Sequence, residues 1–151
     1  MKDRLHEMFD YKNGKLIWKV RASTRIKVGD SAGYLNPDER VHVRVDGAAY
    51  YRNRLVWIFH HGDIPEGLQV DHIDRNKSND KIENLRLATC SQNRHNLKAK
   101  GYHWNKPLGK WQAKVCHQGK DIHLGYYDCQ IDARAEYLRA KRKLAGEFAP
   151  V

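Results

Sequence analysis

Val70-Asp71-His72-Ile73-Asp74 is followed by Ile82-Glu83-Asn84-Leu85-Arg86-Leu87-Ala88 and then by Thr89-Cys90-Ser91-Gln92-Asn93. The first run predicts a short strand over Gln69–Ile73. Asp74–Asp80 is polar and turn-rich, and Asp74, Asn79 and Asp80 are the residues expected to shape that loop. Leu85–Ala88 predicts a second short strand. Thr89, with Gln92 three residues on, matches a capping box, so a helix should begin near Cys90 and carry Asn93 in its early turns. The order is strand, loop, strand, helix.

Upstream, residues 1–50 read as short strands and turns. Leu5, Met8 and Phe9 line a short starting helix. Asn13-Gly14 before the apolar run Leu16-Ile17-Trp18 is a hairpin signal. Val41-His42-Val43-Arg44-Val45 alternates as a half-exposed strand does, and Asp46-Gly47 turns the chain after it. Arg54–His61 is densely apolar and stops at Gly62, which predicts a buried scaffold helix with a glycine terminator. His60 and His61 belong to its capped end rather than to a metal site.

Downstream of a basic connector over residues 94–100, three short strands are expected: Gly101–Asn105, Lys110–His117 and Lys120–Tyr126. A helix over Asp132–Ala145 follows, ended by Gly146. Ile131, Ala135, Leu138 and Ala145 are read as its apolar face, with Arg134, Lys141 and Lys143 turned away from it. The fold class is therefore α+β: N-terminal hairpins, the strand–loop–strand–helix segment, and a three-stranded sheet with one packed helix.

The 151 residues carry a formal net charge of +10, with 30% charged residues. The excess is uneven. Residues 1–93 hold 16 Lys and Arg against 13 Asp and Glu, and residues 94–151 hold 12 against 5. Such a balance suits a polyanionic partner gripped mainly by the C-terminal part. Cys90, Cys116 and Cys129 are isolated and form no Cys-x-x-Cys pair, so a structural four-ligand zinc site is not expected. Their odd number, with no signal peptide, fits a reducing cytoplasm rather than secretion. No apolar run approaches the length needed to span a membrane.

The chemistry lies in Asp71, His72, Asn84 and Asn93. A neutral imidazole accepts a proton near pH 7, which makes His72 the natural general base. Asp71, its strand neighbour, points to the opposite face and offers a hard carboxylate oxygen. Asn93 offers a second oxygen from the helix, and Asn96 a similar one. Such a shell suits one Mg²⁺ or Mn²⁺ completed by waters and phosphate oxygens. The Asn84 amide is suited to tie the loop to the strand and fix the ring. These are the parts needed to hydrolyse a phosphodiester. In the tail, Lys110 and Lys114 suit phosphates, and an exposed Trp packs on sugar or a thymine methyl.

These residues resemble the HNH homing endonucleases of phages. The resemblance rests on Leu68–Asp74, Ile82–Arg86 and Ser91–Asn93, extends upstream through Arg54-Leu55-Val56-Trp57, and covers about residues 1–97. It implies a ββα-metal site in which Asp71 and Asn93 bind the ion, His72 activates water and Asn84 supports the site. The third family position, often His, is Asn93 here, as in the phage intron-encoded members. Residues 98–151 resemble an AP2 DNA-binding domain through Gly101-Tyr102-His103-Trp104, Gly109–Lys114, His123–Tyr127 and Ala133–Gly146. That family lays its sheet in the DNA major groove. The resemblance offers His103, Trp104, Trp111 and Lys114 as contacts, and Cys116 stands where plant members usually have Arg.

The expectation is a metal-dependent endonuclease of double-stranded DNA, probing a specific site as homing enzymes do, in a bacterial host's cytoplasm. One site per chain implies a nick from a monomer and a double-strand cut from a homodimer. The rivals are a DNA-binding regulator with an inactive nuclease fold and an RNA-binding protein that stacks bases on Trp and Tyr.

Overall fold

The computed structural model describes residues 1–96 and 99–148. The chain divides into two compact units, Met1–Ala88 and Thr89–Val151. The domain boundary expected between residues 97 and 98 lies outside the described residues.

The first unit opens with helix α1 (Lys2–Met8), which buries Leu5 and Met8. Phe9 is fully buried but begins strand β1 (Phe9–Lys12) rather than ending the helix. β1 pairs antiparallel with β2 (Lys15–Trp18), Lys12 opposite Lys15. The two residues between them, Asn13 and Gly14, both have positive φ, 49° and 81°. That is the conformation that matches a two-residue loop to the strand twist, and it is why Asn-Gly is favoured there. The same logic acts at Asp46 and Gly47, between β4 (Val41–Val45) and β5 (Ala48–Tyr51). A short strand β3 (Tyr34–Leu35) completes that sheet in the order β3-β4-β5.

Val43 and Val45 face inward, as the alternation predicts, and join Leu5, Phe9, Leu16, Leu55 and Val56 in the core. The last two lie on helix α2 (Arg52–His61). This helix starts two residues before the apolar run, and those residues matter. Arg52 and Asn53 are 7% and 6% exposed and point into the fold. Gly62 ends the helix at φ 89°, its N–H donating to the Ile58 carbonyl at 2.9 Å. Strands β6 (Leu68–His72) and β7 (Leu85–Thr89) form a separate two-stranded sheet.

The second unit begins with helix α3 (Cys90–Asn96), entered through the capping box. The Gln92 N–H donates to Thr89 Oγ1 at 3.2 Å, and the Thr89 N–H donates to Gln92 Oε1 at 2.8 Å. Strands β8 (Tyr102–Asn105), β9 (Lys110–His117) and β10 (Lys120–Tyr127) form an antiparallel sheet in the order β10-β9-β8. Helix α4 (Gln130–Ala145) packs on it.

The face that α4 presents differs from the expected one. Ile131 is 74% exposed and Ala135 is exposed, while Ala133, Tyr137 and Lys141 are buried. The buried stripe is i, i+4, i+8, centred on an aromatic ring and a lysine stem. A long side chain can bury its methylenes where a count of apolar residues would turn it outward. The Tyr137 ring lies so close to Gly101 that a Cβ there would stand 2.0 Å from it. The Lys141 ammonium sits 5.5 Å from the same ring's centroid. All three cysteines are free and exposed. Among the described residues, no helix is long and apolar enough to cross a membrane.

Candidate active site

Asp71 and His72 end β6, and their side chains find different partners. The Arg86 Nε, on β7, donates to Asp71 Oδ2 at 3.0 Å. His72 Nε2 stands 2.7 Å from Asp80 Oδ1. Asp71 is 7% exposed and His72 6%, so access to the imidazole is confined to a narrow edge.

The loop after β6 is held by its own amides. Asn84 is the hub. Its Oδ1 accepts from the Asp74 N–H at 3.0 Å, and its Nδ2 donates to Asp74 Oδ1 at 2.9 Å and to the Asn79 carbonyl at 2.8 Å. The Ile73 N–H donates to the Asn84 carbonyl at 2.9 Å, so the end of β6 and the approach to β7 are stitched together. Asn79 Nδ2 and the Asn76 N–H add bonds of 2.7 and 2.8 Å to the Asp74 carboxylate. Burial pushes the Asp74 carboxyl up, but the hydrogen bonds from Asn79, Asn76 and Asn84 together hold it below its ordinary range.

Asp80 does more than shape the loop. Its second oxygen accepts from Arg52 Nε at 2.7 Å, and Arg52 Nη2 reaches the Ser78 carbonyl at 3.3 Å. The side chains of Arg52, His72 and Asp80 are 8%, 8% and 1% exposed. A carboxylate between two donors is the arrangement that makes such burial tolerable. Sequence reasoning missed Arg52 because it lies 28 residues from Asp80, at the start of a helix read as scaffold. No local signal marked it, because Arg52 lies two residues before the apolar run that opens at Arg54.

Asn93 lies on α3, one turn into the helix, and is partly buried, whereas Asn96 is 4% exposed. Among the described residues, no group of three or more His, Cys, Asp and Glu side chains gathers to hold an ion. A carboxylate and an amide are both hard oxygen donors, and the Asp71 carboxylate already faces one cation, Arg86. Oxygen donors of these two kinds suit a hard divalent ion.

On the second unit's sheet the expected DNA contacts divide by register. Trp104 pairs with Trp111, ring centroids 5.2 Å apart, on the face that carries buried Ala113 and Val115 and the helix. His103, Lys110 and Lys114 belong to the opposite, open face, with Gln112, His123 and Tyr126. Lys114 Nζ pairs with Asp121 at 2.7 Å, and Lys110 Nζ with Asp128 at 3.2 Å. Trp104, on edge strand β8, is 45% exposed.

A strand ending in Asp-His, an amide-stitched loop, a second strand and a capped helix carrying Asn follow one another in the chain. The HNH endonuclease family model matches residues 50–95, which include β6, the loop, β7 and Asn93. The chain belongs to the HNH endonuclease family. It is 36% identical to Protein 3.8 of Escherichia phage T7 over 106 residues, 65% of this chain and 87% of that one. It is 57% identical over 93 residues to an uncharacterized HNH endonuclease of Acanthamoeba polyphaga mimivirus, spanning 58% of this chain but only about half, 49%, of that longer protein. No solved structure matches the chain. The family match supports a DNA nuclease, and HNH nucleases generally use a divalent metal ion.

Proposed function

We propose that this chain is a metal-dependent homing-type endonuclease that nicks or cuts a specific site in double-stranded DNA. The observation that carries the reading is the end of β6. There Asp71 and His72 stand side by side, the ring anchored through one nitrogen at 2.7 Å and the carboxylate turned toward a cation.

Asp71 and Asn93 would hold the ion, Mg²⁺ or Mn²⁺. When bound, the ion polarises the phosphate and stabilises charge on the leaving oxygen. His72 takes a proton from the attacking water. Asn84 keeps the loop between the strands in the one shape that presents His72 and Asp71 together. Displacing a base by about 1 Å can cost on the order of 100-fold in rate, so such a clamp has kinetic value. Partial exposure favours Asn93 over buried Asn96 as the amide ligand.

The second unit acts as an AP2-like DNA-binding module. A three-stranded sheet with one helix behind it supports this, and a sheet is able to enter the major groove. His103, Lys110 and Lys114 contact DNA from the open face, and Trp104 with Trp111 contribute from the β8 side of the sheet. Before Lys114 meets a phosphate it must part from Asp121.

The test is relaxation of supercoiled plasmid with Mg²⁺ or Mn²⁺. Wild-type protein should convert plasmid to the nicked or linear form, and His72→Ala should abolish this while still binding DNA. Cleavage by His72→Ala at the wild-type rate, or binding without cleavage by the wild-type protein, would reject the proposal in favour of a DNA-binding regulator.

A further inference from the structure

We propose that Asp80 is a positioning residue for His72: it fixes the rotation and tautomer of the imidazole, and Arg52 fixes Asp80. The inference rests on the reading of His72 as the base. It starts from the way each oxygen of a nearly inaccessible carboxylate is committed. Oδ1 lies 2.7 Å from His72 Nε2 and Oδ2 lies 2.7 Å from Arg52 Nε. The Asp80 side chain is 1% exposed, so water does not compete for either oxygen.

A carboxylate only accepts hydrogen bonds, so the ring nitrogen facing it carries the proton. Nε2 is then the donor, and the lone pair lies on Nδ1, at the other side of the ring. The proton that leaves water forms its new N–H bond at Nδ1, while the Nε2–H bond stays intact against Asp80. A ring free to flip, or holding its proton on Nδ1, would present a donor where the reaction needs an acceptor.

The surroundings restrict Asp80 as closely as Asp80 restricts the ring. Arg52 is anchored at the first turn of α2 and also holds the Ser78 carbonyl at 3.3 Å. The β1–β2 turn abuts the backbone next to Asp80. A Cβ on Gly14 would stand 2.7 Å from Lys81 N and 2.9 Å from the Asp80 carbonyl carbon. Tyr11 Oη, from the same hairpin, accepts from the Ile82 N–H at 2.9 Å. The next residue on α2, Asn53, donates to the Val70 carbonyl at 3.2 Å, two residues before His72. Hairpin, helix and strand thus all bear on one hydrogen bond.

The decisive experiment reads the ring itself, in the full-length protein at one fixed pH where His72 is neutral. Nitrogen-15 NMR of histidine-labelled wild-type protein should show His72 protonated on Nε2, with Nδ1 unprotonated. Asp80→Asn, whose amide is able to donate to Nε2, should shift the population toward the other tautomer. In steady-state cleavage it should lower kcat by about 100-fold or more with KM changed less than about twofold, because the group lost acts on orientation and not on binding. A wild-type His72 bearing its proton on Nδ1 would overturn the proposal, even if Asp80→Asn fails to fold. So would a folded Asp80→Asn with the wild-type tautomer and kcat. The nuclease reading fails separately, if His72→Ala cuts normally whatever the tautomer.

Discussion

Asp74 shows how single residues set the frame of the site. Its carboxylate accepts from the Asn76 N–H, Asn79 Nδ2 and Asn84 Nδ2 within 2.9 Å, and together these hold the acid below its ordinary range against the upward push of burial. A carboxyl depressed in the folded state contributes stability that is present above its unfolded value of about 3.9 and is lost as pH falls through the folded value. Thermal melts between about pH 5 and pH 2 should therefore show wild-type protein losing more stability than Asp74→Asn. Parallel acid limbs for the two would mean that the loop is held by something else. At this scale the sequence was informative where residues act through neighbours. Asp71, His72 and Asn84 were legible because one hairpin gathers them. The contact of Asp80 with His72 was not, because it depends on Arg52 and on the close approach of Gly14, both far off in the chain.

Elements were legible where a local rule dictates them. Asn13-Gly14 and Asp46-Gly47 turn as their dipeptides require, and Thr89 with Gln92 caps α3 as the spacing demands. Helix α4 was located correctly but rotated wrongly, because its inward face is chosen by Gly101 beneath Tyr137 rather than by the number of aliphatic residues. Stability measurements separate the two faces. Tyr137→Ala should cost about 3–5 kcal/mol, the usual loss for a buried aromatic. Ile131→Ser, at a residue 74% exposed, should fall within about 0.5 kcal/mol of wild type. The reverse ranking would restore the face built on Ile131. The division of His103 and Lys114 from Trp104 and Trp111 was equally hidden. It follows from strand parity, and both sets looked alike as basic and aromatic residues in one short segment.

Across the whole molecule, the charge excess is concentrated in residues 94–151, while the family match covers residues 50–95. The chemistry and most of the phosphate-attracting charge thus lie in successive parts of the chain. Long-range attraction of this kind speeds encounter with DNA and confers salt dependence, but it does not cut. In the proposed mechanism cutting depends on the oxygen donors of Asp71 and Asn93 and on the His72 imidazole. Manganese titration followed by electron paramagnetic resonance counts the ions per chain directly. One tightly held Mn²⁺ per wild-type chain is expected, lost in Asp71→Ala and in Asn93→Ala but kept in His72→Ala, since the imidazole is proposed as the base and not as a ligand. Undiminished Mn²⁺ binding by folded Asp71→Ala, or loss of the ion from folded His72→Ala alone, would contradict the account.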